Sequence, residues 1–318
     1  MRFRWLIVAA LCVATPALGF WQSRDSNYNL TTGSAPSYTG PGDLGFGAVT
    51  AFWGFRCYTA AYSGSVADIT DSATGNTTGT RLKCDGAGNV VATVSASACT
   101  FVTGNACSAL ATTCLVACNV EKLYDQSLGN NCTSATCDVS AATNANRPTY
   151  LNNSATCGAN SRSCMQFPGT NGPQLTPATS LTSVSQIYYW STVFNVTANV
   201  AATQTIMNIT STIVHTATAN KVQITAGSSA AAQTVNDNAW HTVQTTFNAS
   251  SSIMVIDGAS VGSLVAGSGA ISGALHIGAT SAATSPMTGL IAEIGIWPST
   301  STFNSTTLYN NQHAYYGF

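Results

Sequence analysis

Carboxylates are the side chains in this sequence whose chemistry could cleave a bond, and they are unevenly spaced. The chain has eleven Asp and Glu residues, but none lies between residues 165 and 236. Three acids follow that gap: Asp237, Asp257 and Glu293. On the other side of the gap, Asp125 lies at the end of a predicted strand. Hydrolysis of a glycosidic bond requires two carboxyl groups about 5–9 Å apart, one on each side of the bond. Asp125 is the best remaining candidate, but one acid is not a pair.

Local sequence favours structural roles for the three later acids. Asp257 precedes a glycine in a turn, and Asp237 lies between two asparagines ahead of a strand. Side-chain to backbone hydrogen bonds explain acids at such positions. Glu293 lies in a predicted strand on the same face as Ile291 and Trp297, where it would help to hold the sheet. We therefore assign no catalytic residue.

Four histidines could supply general bases or metal ligands. Each lies in a strand or helix pattern: His215, His241, His276 and His313. They are too scattered to suggest a His-x-Glu or His-x-x-x-His zinc motif. Calcium needs clustered oxygen ligands, for which acids are too sparse. The sequence therefore predicts neither a metal site nor a cofactor.

Cysteines are the other reactive side chains, and ten of them follow a short N-terminal leader that contains Cys12. These ten are Cys57, Cys84, Cys99, Cys107, Cys114, Cys118, Cys132, Cys137, Cys157 and Cys164. An even number behind an export leader predicts disulfides, whereas a metal site would need paired Cys-x-x-Cys spacing. Two local pairs are plausible, Cys132 with Cys137 and Cys157 with Cys164. The spacing leaves the full connectivity open.

The leader itself has the form of a signal peptide. Residues 1–19 begin with Arg2 and Arg4, continue with an apolar stretch and end in Ala-Leu-Gly. A retained anchor is the alternative, but the apolar stretch is too short to span a bilayer. No later stretch reaches the length of a membrane span. We therefore expect a protein secreted to the extracellular space, with the periplasm or the cell surface also open.

Charge is scarce, which limits the classes of partner. The formal net charge is −1, and removing the leader takes away two basic residues. No basic run suits phosphate, so nucleic acid is excluded as a partner. Beyond Cys164 the charged side chains are Lys221, Asp237, Asp257 and Glu293. Such a surface suits neutral polar ligands.

Short β-branched and aromatic runs, separated by Gly, Asn, Ser and Asp, predict an all-β antiparallel β-sandwich. The most legible strands are residues 187–194, 222–225, 240–247, 253–256, 274–278 and 290–297. A short helix is predicted over residues 306–316, after a Ser305 cap, with Leu308, Asn311, Gln312 and Tyr315 at helical spacing. We expect a loosely ordered lead-in over residues 20–44 and one jelly-roll domain over residues 45–318. That domain has a disulfide-rich first part, residues 57–164, and a second part, residues 165–318.

The second part resembles the concanavalin A/laminin-G jelly-roll superfamily. The resemblance rests on four segments: FPGTNG at 167–172, WHTV at 240–243, IMVIDG at 253–258 and LIAEIGIW at 290–297. In that superfamily a Trp-His pair opens a strand, an Asp-Gly hairpin follows and an Ile-x-Glu-Ile-type strand closes the sheet. The resemblance implies a fold, and hardly constrains a ligand.

The first part resembles the start of the α-L-arabinofuranosidase B catalytic domain. AYSG at 61–64 and CNVEKLYDQS at 118–127 carry the resemblance. The family's nucleophile is a Glu that follows adjacent cysteines in mid-domain, where this chain has neither Glu nor Cys. Its acid/base Asp lies in a Gly-Gly-Asp-Asn segment, where residues 277–284 read IGATSAAT. The resemblance therefore implies a sugar-processing frame without its catalytic carboxylates.

Sugar binding does not require a pair of carboxyl groups. An aromatic ring and a few polar groups are sufficient. In the strand containing Tyr189, Trp190 is expected in the core and Tyr189 on the more exposed face. With Tyr124, Asp125 and Gln126, Tyr189 forms the predicted ligand-binding group. We expect a domain that binds extracellular or cell-wall polysaccharide without cleaving it. The alternatives are an active glycosidase that pairs Asp125 with another acid, and a structural surface or matrix protein.

Overall fold

The computed structural model describes most of the chain beyond residue 37. The described residues are 38–71, 80–93, 118–127, 129, 131–132, 137–141, 143–169, 174–177, 180–196, 203–209, 212–216, 221–227, 229–235, 238–280 and 284–318. The predicted leader, Cys99, Cys107, Cys114 and Asp237 lie outside them. In these ranges, no helix combines the length and the apolar character needed to cross a bilayer.

The described residues form twenty-one strands in chain order. They are β1 (Ala51–Gly54), β2 (Ser65–Asp71), β3 (Thr80–Cys84), β4 (Val90–Thr93), β5 (Cys118–Leu123), β6 (Val139–Ser140), β7 (Thr149–Leu151), β8 (Cys164–Pro168), β9 (Thr176–Pro177), β10 (Leu181–Val184), β11 (Tyr188–Val196), β12 (Thr203–Asn208), β13 (Thr212–Thr216), β14 (Lys221–Thr225), β15 (Ser229–Thr234), β16 (Trp240–Phe247), β17 (Ser252–Ile256), β18 (Ala259–Leu264), β19 (Ile271–Gly273), β20 (His276–Ile277) and β21 (Thr288–Pro298).

These strands form two main antiparallel sheets. The larger follows the order β18-β17-β16-β11-β21-β8-β7-β5-β2-β3-β4, with β1 paired to β21 and β6 joining β5 to β9. The smaller follows the order β15-β14-β13-β12-β20, and β10 pairs with β19. Trp190 and Phe247 of the large sheet share one buried cluster with Ile206 and Ile224 of the small sheet. The predicted β-sandwich is therefore confirmed, with its core between the sheets.

Among the described residues there is one α-helix, α1 (Ser305–Tyr316), which lies against the outer face of the large sheet. The predicted Ser305 cap is wrong by one residue, because the side chain of Asn304 accepts the hydrogen bond from the Thr307 N–H. The helix buries Leu308, Gln312 and Tyr316, which are four residues apart and so share one face. Three short 3-10 helices, Pro41–Leu44, Asn144–Asn146 and Ala155–Cys157, complete the described elements.

A β-bulge in β21 changes which side chains share the face of Glu293. Val193 pairs with Glu293 and the next residue, Phe194, pairs with Ile291, so Ala292 is an extra residue in the ladder. A bulge of this kind reverses the alternation of side chains beyond it. Ile291 therefore joins the main core. The prediction that it lies on the face of Glu293 is wrong.

Most predicted strands occur with shifts of one or two residues at their ends. Residues 240–247 match β16, whereas the predicted strand at 274–278 is shortened to the two residues of β20. The predicted turn is present between β17 and β18, where Asp257 has φ 51° and Gly258 has φ 78°. Two successive positive φ angles define the tight turn that suits a twisted hairpin.

Three disulfides are present among the described cysteines. They join Cys57 to Cys84, Cys132 to Cys137 and Cys157 to Cys164. The two local pairs predicted from spacing are therefore confirmed. Cys118 is also disulfide-bonded, and its partner lies outside the described residues.

The end of the predicted lead-in has fixed partners in the structure. Gly42 N–H donates to the carbonyl of Tyr58 at 2.7 Å, and Asp43 accepts from the N–H of Ala60 at 2.8 Å. Residues 38–44 therefore pack against the chain that follows β1. Residues 20–37 lie outside the described residues.

Candidate functional site

Tyr124 follows β5 and lies at the centre of an exposed group of charged side chains. Its hydroxyl donates to Asp68 Oδ2 at 2.7 Å and accepts from Arg81 Nη2 at 2.6 Å. The Arg81 guanidinium lies 5.0 Å from the ring centroid, and Lys122 Nζ lies 4.5 Å from it. Asp138 completes the group by pairing with Lys122 Nζ at 2.8 Å. We call these five residues the polar cluster.

Cross-strand register brings the polar cluster together. Asp68 on β2 is opposite Arg81 on β3 and opposite Lys122 on β5. Side chains directly opposite each other in an antiparallel pair have Cβ atoms about 5 Å apart, so their charges can pair. Of these five residues only Tyr124 was predicted from sequence as part of the site; Asp68, Arg81, Lys122 and Asp138 were not. Charge scarcity was a usable signal, because few charged side chains occur in this chain and several of them meet here.

The electrostatics of the polar cluster keep the Tyr124 hydroxyl protonated. Burial raises the pKa of Tyr124 well above its usual value, and the hydrogen bond and charge of Asp68 raise it further. The Arg81 charge opposes this and is the weaker effect. The phenol therefore acts as a hydrogen-bonding group and not as a nucleophile.

Asp125 points into the protein and holds the turn that follows β5. Its Oδ1 accepts hydrogen bonds from the N–H groups of Phe52 and Ser127, each at 3.0 Å. Its Oδ2 accepts from the Ser127 hydroxyl at 2.8 Å. Burial raises the pKa of Asp125 to about 6, although these hydrogen bonds act to lower it. The carboxylate therefore makes its hydrogen bonds to Ser127 in this turn and to the backbone of β1.

A pH-dependent stability is expected at Asp125. Because its pKa rises from 3.8 to about 6 on folding, the contribution is fully present below pH about 4 and is lost as the pH rises through about 6. The free energy of unfolding should fall by about 2–3 kcal/mol over that range. Denaturant titrations from pH 4 to 8 on the wild type and on Asp125→Asn measure it. The asparagine in the variant keeps one oxygen that can accept from the N–H groups of Phe52 and Ser127, but it does not titrate. The variant's free energy of unfolding should therefore not fall over this pH range, and an equal fall in the wild type and the variant would contradict the assignment.

Gln126 is fully buried, and its side chain makes hydrogen bonds to backbone groups. Its side-chain N–H groups donate to the carbonyls of Gly54 and Arg56, both at 3.1 Å. Its carbonyl accepts from Tyr58 N–H at 2.9 Å. All of these partners lie on or just after β1. Gln126 thus fixes that segment beside β5 and contributes no surface to the polar cluster.

Tyr189 packs in an aromatic cluster that also contains Phe52. Its ring stacks on Phe303, with centroids 4.8 Å apart and planes 14° apart. Both rings pack on a cluster that includes Phe46 and Trp297. Because Phe52 N–H donates to Asp125, this cluster adjoins the turn after β5. The described ring contacts of Tyr189 do not include Tyr124.

Glu293 is enclosed beneath α1. Its carboxylate pairs with Arg56 through both guanidinium Nε and Nη2, the second contact at 2.9 Å. Gln312 Nε2 donates to it at 2.6 Å and the Tyr316 hydroxyl at 3.1 Å. Glu293 is 2% exposed and Arg56 is fully buried. This network fastens the helix to the sheet, and a substrate has no access to it.

Asp257 is held within its own hairpin. Its Oδ2 lies 2.8 Å from His241 Nδ1, and its Oδ1 accepts from the Thr242 N–H at 2.9 Å. Between its strand, β17, and the β1 segment that contacts Asp125 lie β16, β11 and β21. At about 4.8 Å per strand this separation exceeds about 15 Å. The described geometry therefore does not place Asp125, Asp257 and Glu293 in one open cleft.

Two further chemical motifs are resolved by the structure. Residues 258–262 read Gly-Ala-Ser-Val-Gly, the pattern of a nucleophile elbow. They form the turn and β18 of a hairpin, whereas an elbow requires a turn from strand to helix. Within the described ranges, no three His, Cys, Asp or Glu side chains are close enough to hold a metal ion.

Comparison with known proteins supports the fold. Residues 168–303 match the model of the concanavalin A-like lectin/glucanases superfamily. A search of curated proteins gives no match. The matched residues are those that form the strands from β9 to β21, which include the smaller sheet and the centre of the larger one.

Solved arabinofuranosidases have a similar fold at low sequence identity. An arabinofuranosidase complexed with arabinofuranosyl-α-1,2-xylobiose is 14% identical, with a TM-score of 0.53 over 85% of this chain and 64% of that one. A GH54 α-L-arabinofuranosidase soaked with a cyclic sulfate inhibitor is 12% identical, with a TM-score of 0.54 over 88% and 64%. This chain thus spans 64% of the length of each of these two arabinofuranosidases. The chain has the concanavalin A-like jelly-roll fold, and in that fold it resembles the α-L-arabinofuranosidases.

Proposed function

We propose that this protein is secreted and binds extracellular polysaccharide made of neutral sugars, through the polar cluster around Tyr124, without cleaving it. The fold supports the substrate class, because a similar arabinofuranosidase was solved with arabinofuranosyl-α-1,2-xylobiose bound. Disulfides among the described cysteines are compatible with an oxidising compartment outside the cytosol.

One observation carries the proposal: Asp68 and Asp138 form ion pairs with Arg81 and Lys122 at a partly exposed, hydrogen-bonding surface around Tyr124. The side chains of Arg81, Lys122 and Asp68 are 45%, 32% and 21% exposed. A sugar hydroxyl both donates and accepts hydrogen bonds. It can accept from Arg81 or Lys122 while it donates to Asp68, so a diol can be bound without a net charge.

Binding should weaken when the polar cluster loses its donors. We expect Arg81→Ala to lower the affinity for arabinoxylan about tenfold or more, because hydrogen bonds from charged groups contribute about 1.5–3 kcal/mol each. Tyr124→Phe should have a smaller effect, since it removes one hydroxyl and keeps the ring. Titration calorimetry or affinity electrophoresis measures both.

Asp85→Asn is the matched control for these variants. Asp85 is exposed, and its hydrogen bonds stay within its own loop, to Ala87 and Asn89. The control should bind like the wild type. Unchanged binding by both polar-cluster variants, with the fold intact by circular dichroism, would show that the ligand lies elsewhere.

A further inference from the structure

Three aromatic rings, one at the start of β16 and two at or just after the end of α1, form a surface that the polar cluster does not include. Trp240, Tyr316 and Phe318 have ring planes within 19° of each other and centroids 6.0–6.4 Å apart in every pair. If the three rings formed one stacked column, the first and third centroids would be twice as far apart as neighbouring centroids. The three centroid distances are nearly equal, so the centroids lie at the corners of a triangle. We call these three residues the aromatic platform.

The aromatic platform is partly open to solvent. Tyr316 is fully buried, whereas Trp240 and Phe318 are partly exposed. The partly exposed rings of Trp240 and Phe318 therefore pack beside the buried ring of Tyr316. Leu151 and Tyr315 pack on the same cluster as partly buried neighbours. Partly exposed aromatic rings provide apolar surface on which the C–H groups of a sugar can pack.

A disulfide loop holds the platform rings in place. The Trp240 indole N–H donates to the carbonyl of Thr156 at 2.9 Å, next to Cys157. From the same loop, Asn160 N–H donates to the carbonyl of Tyr316 at 3.1 Å, and its side chain donates to the carbonyl of Ala314 at 3.0 Å. The Cys157–Cys164 bond closes this loop. The rings are thus ordered before a ligand arrives, which lowers the entropic cost of binding.

The rim of the platform is polar and carries little free charge. Thr156, Asn160 and His313 are exposed around it. Two cations lie close by. Arg56 is fully buried, with its guanidinium 5.6 Å from the Tyr316 ring centroid, and Arg162 donates to the Tyr315 carbonyl at 2.9 Å. A charged polymer therefore finds no matching array of opposite charge here. A neutral sugar fits both parts, with its C–H face on the rings and its hydroxyls on the rim.

We propose that the aromatic platform is a second carbohydrate-contact surface, on which one neutral sugar ring of a polysaccharide stacks. This inference rests on the proposed function for its ligand class, but not for its location. The polar cluster lies on β2, β3 and β5, whereas the platform lies at the start of β16 and the end of α1. Two contact surfaces on one chain would raise the affinity for a long polymer above that for a short oligosaccharide.

Trp240 supplies a direct test, because it can be substituted and also observed. Trp240→Ala should lower the affinity for arabinoxylan about tenfold, the effect of a lost aromatic stack, while Trp240→Phe retains most of the affinity. Among the described tryptophans, Trp53, Trp190 and Trp297 are at most 1% exposed. A change in tryptophan emission on adding arabinoxylan should therefore be lost in Trp240→Phe. Polygalacturonate, an anionic polymer, should cause no change.

The outcomes separate this inference from the proposed function. If the wild type binds arabinoxylan and Trp240→Ala and Phe318→Ala bind equally well, the platform proposal is wrong and the function stands. If the wild type binds no glycan, both are wrong. Phe318→Ala serves if Trp240→Ala fails to fold, since Phe318 follows the last helix. Loss of self-association in sedimentation, with glycan affinity unchanged, would assign the platform to contacts between copies and overturn the proposal.

Discussion

Arg56→Met is expected to lower the free energy of unfolding by about 3–5 kcal/mol, because it leaves the Glu293 carboxylate buried without its cation. Arg56 also donates to Asn311 Oδ1 at 2.7 Å, so the substitution removes a direct contact between the segment after β1 and α1 as well. Urea denaturation followed by tryptophan emission measures the loss. The helix should become more susceptible to limited proteolysis in the same variant.

Two controls separate a buried charge from a lost ion pair. The double variant Arg56→Met with Glu293→Met should recover most of the loss, since it leaves no charge unpaired. Lys122→Met removes the partly exposed pair with Asp138, and should cost about 0–1 kcal/mol. If Lys122→Met cost as much as Arg56→Met, burial of the Glu293 network would not be the cause.

Removing the Cys57–Cys84 disulfide by a double substitution to Ala should lower the free energy of unfolding by about 3–4 kcal/mol. The bond spans 27 residues, and closing a loop of that length restricts the unfolded chain accordingly. Both sulfurs lie in the main core, so the substitution also leaves a cavity. Thermal and urea denaturation under oxidising conditions measure the change.

The Cys132–Cys137 bond is the matched comparison for this prediction. It spans only 5 residues, so its removal should cost about 2 kcal/mol. The order of the two losses is the informative result. A larger loss from the shorter loop would mean that local packing, and not restriction of the unfolded chain, determines the effect.

Strand positions were predictable where the pattern was local. The Asp257-Gly258 turn and the strand at 240–247 follow from residue type and alternation, and both occur as expected. The bulge at Ala292 was not predictable, because it depends on how Val193 and Phe194 pair across the sheet. The helix cap at Asn304 differs from Ser305 by one residue, and either side chain can cap a helix.

The candidate site was predictable only in its local part. Tyr124 and Asp125 stand out because they directly follow a strand, but their neighbours come from distant segments. Asp68 reaches Tyr124 through a register that includes a shift between Asp68 and Ile69 on β2. Gln126 is buried because the backbone after β1 folds over it. Both facts depend on long-range pairing, which residue types alone do not specify.

One experiment distinguishes binding without hydrolysis from catalysis. The purified protein is incubated with arabinoxylan and, separately, with 4-nitrophenyl α-L-arabinofuranoside, and bound polymer and released products are measured on the same preparation. We predict saturable binding of arabinoxylan with release of neither arabinose nor nitrophenol above the rate without protein. Stoichiometric binding accompanied by catalytic release of arabinose, at more than one turnover per chain, would contradict the account.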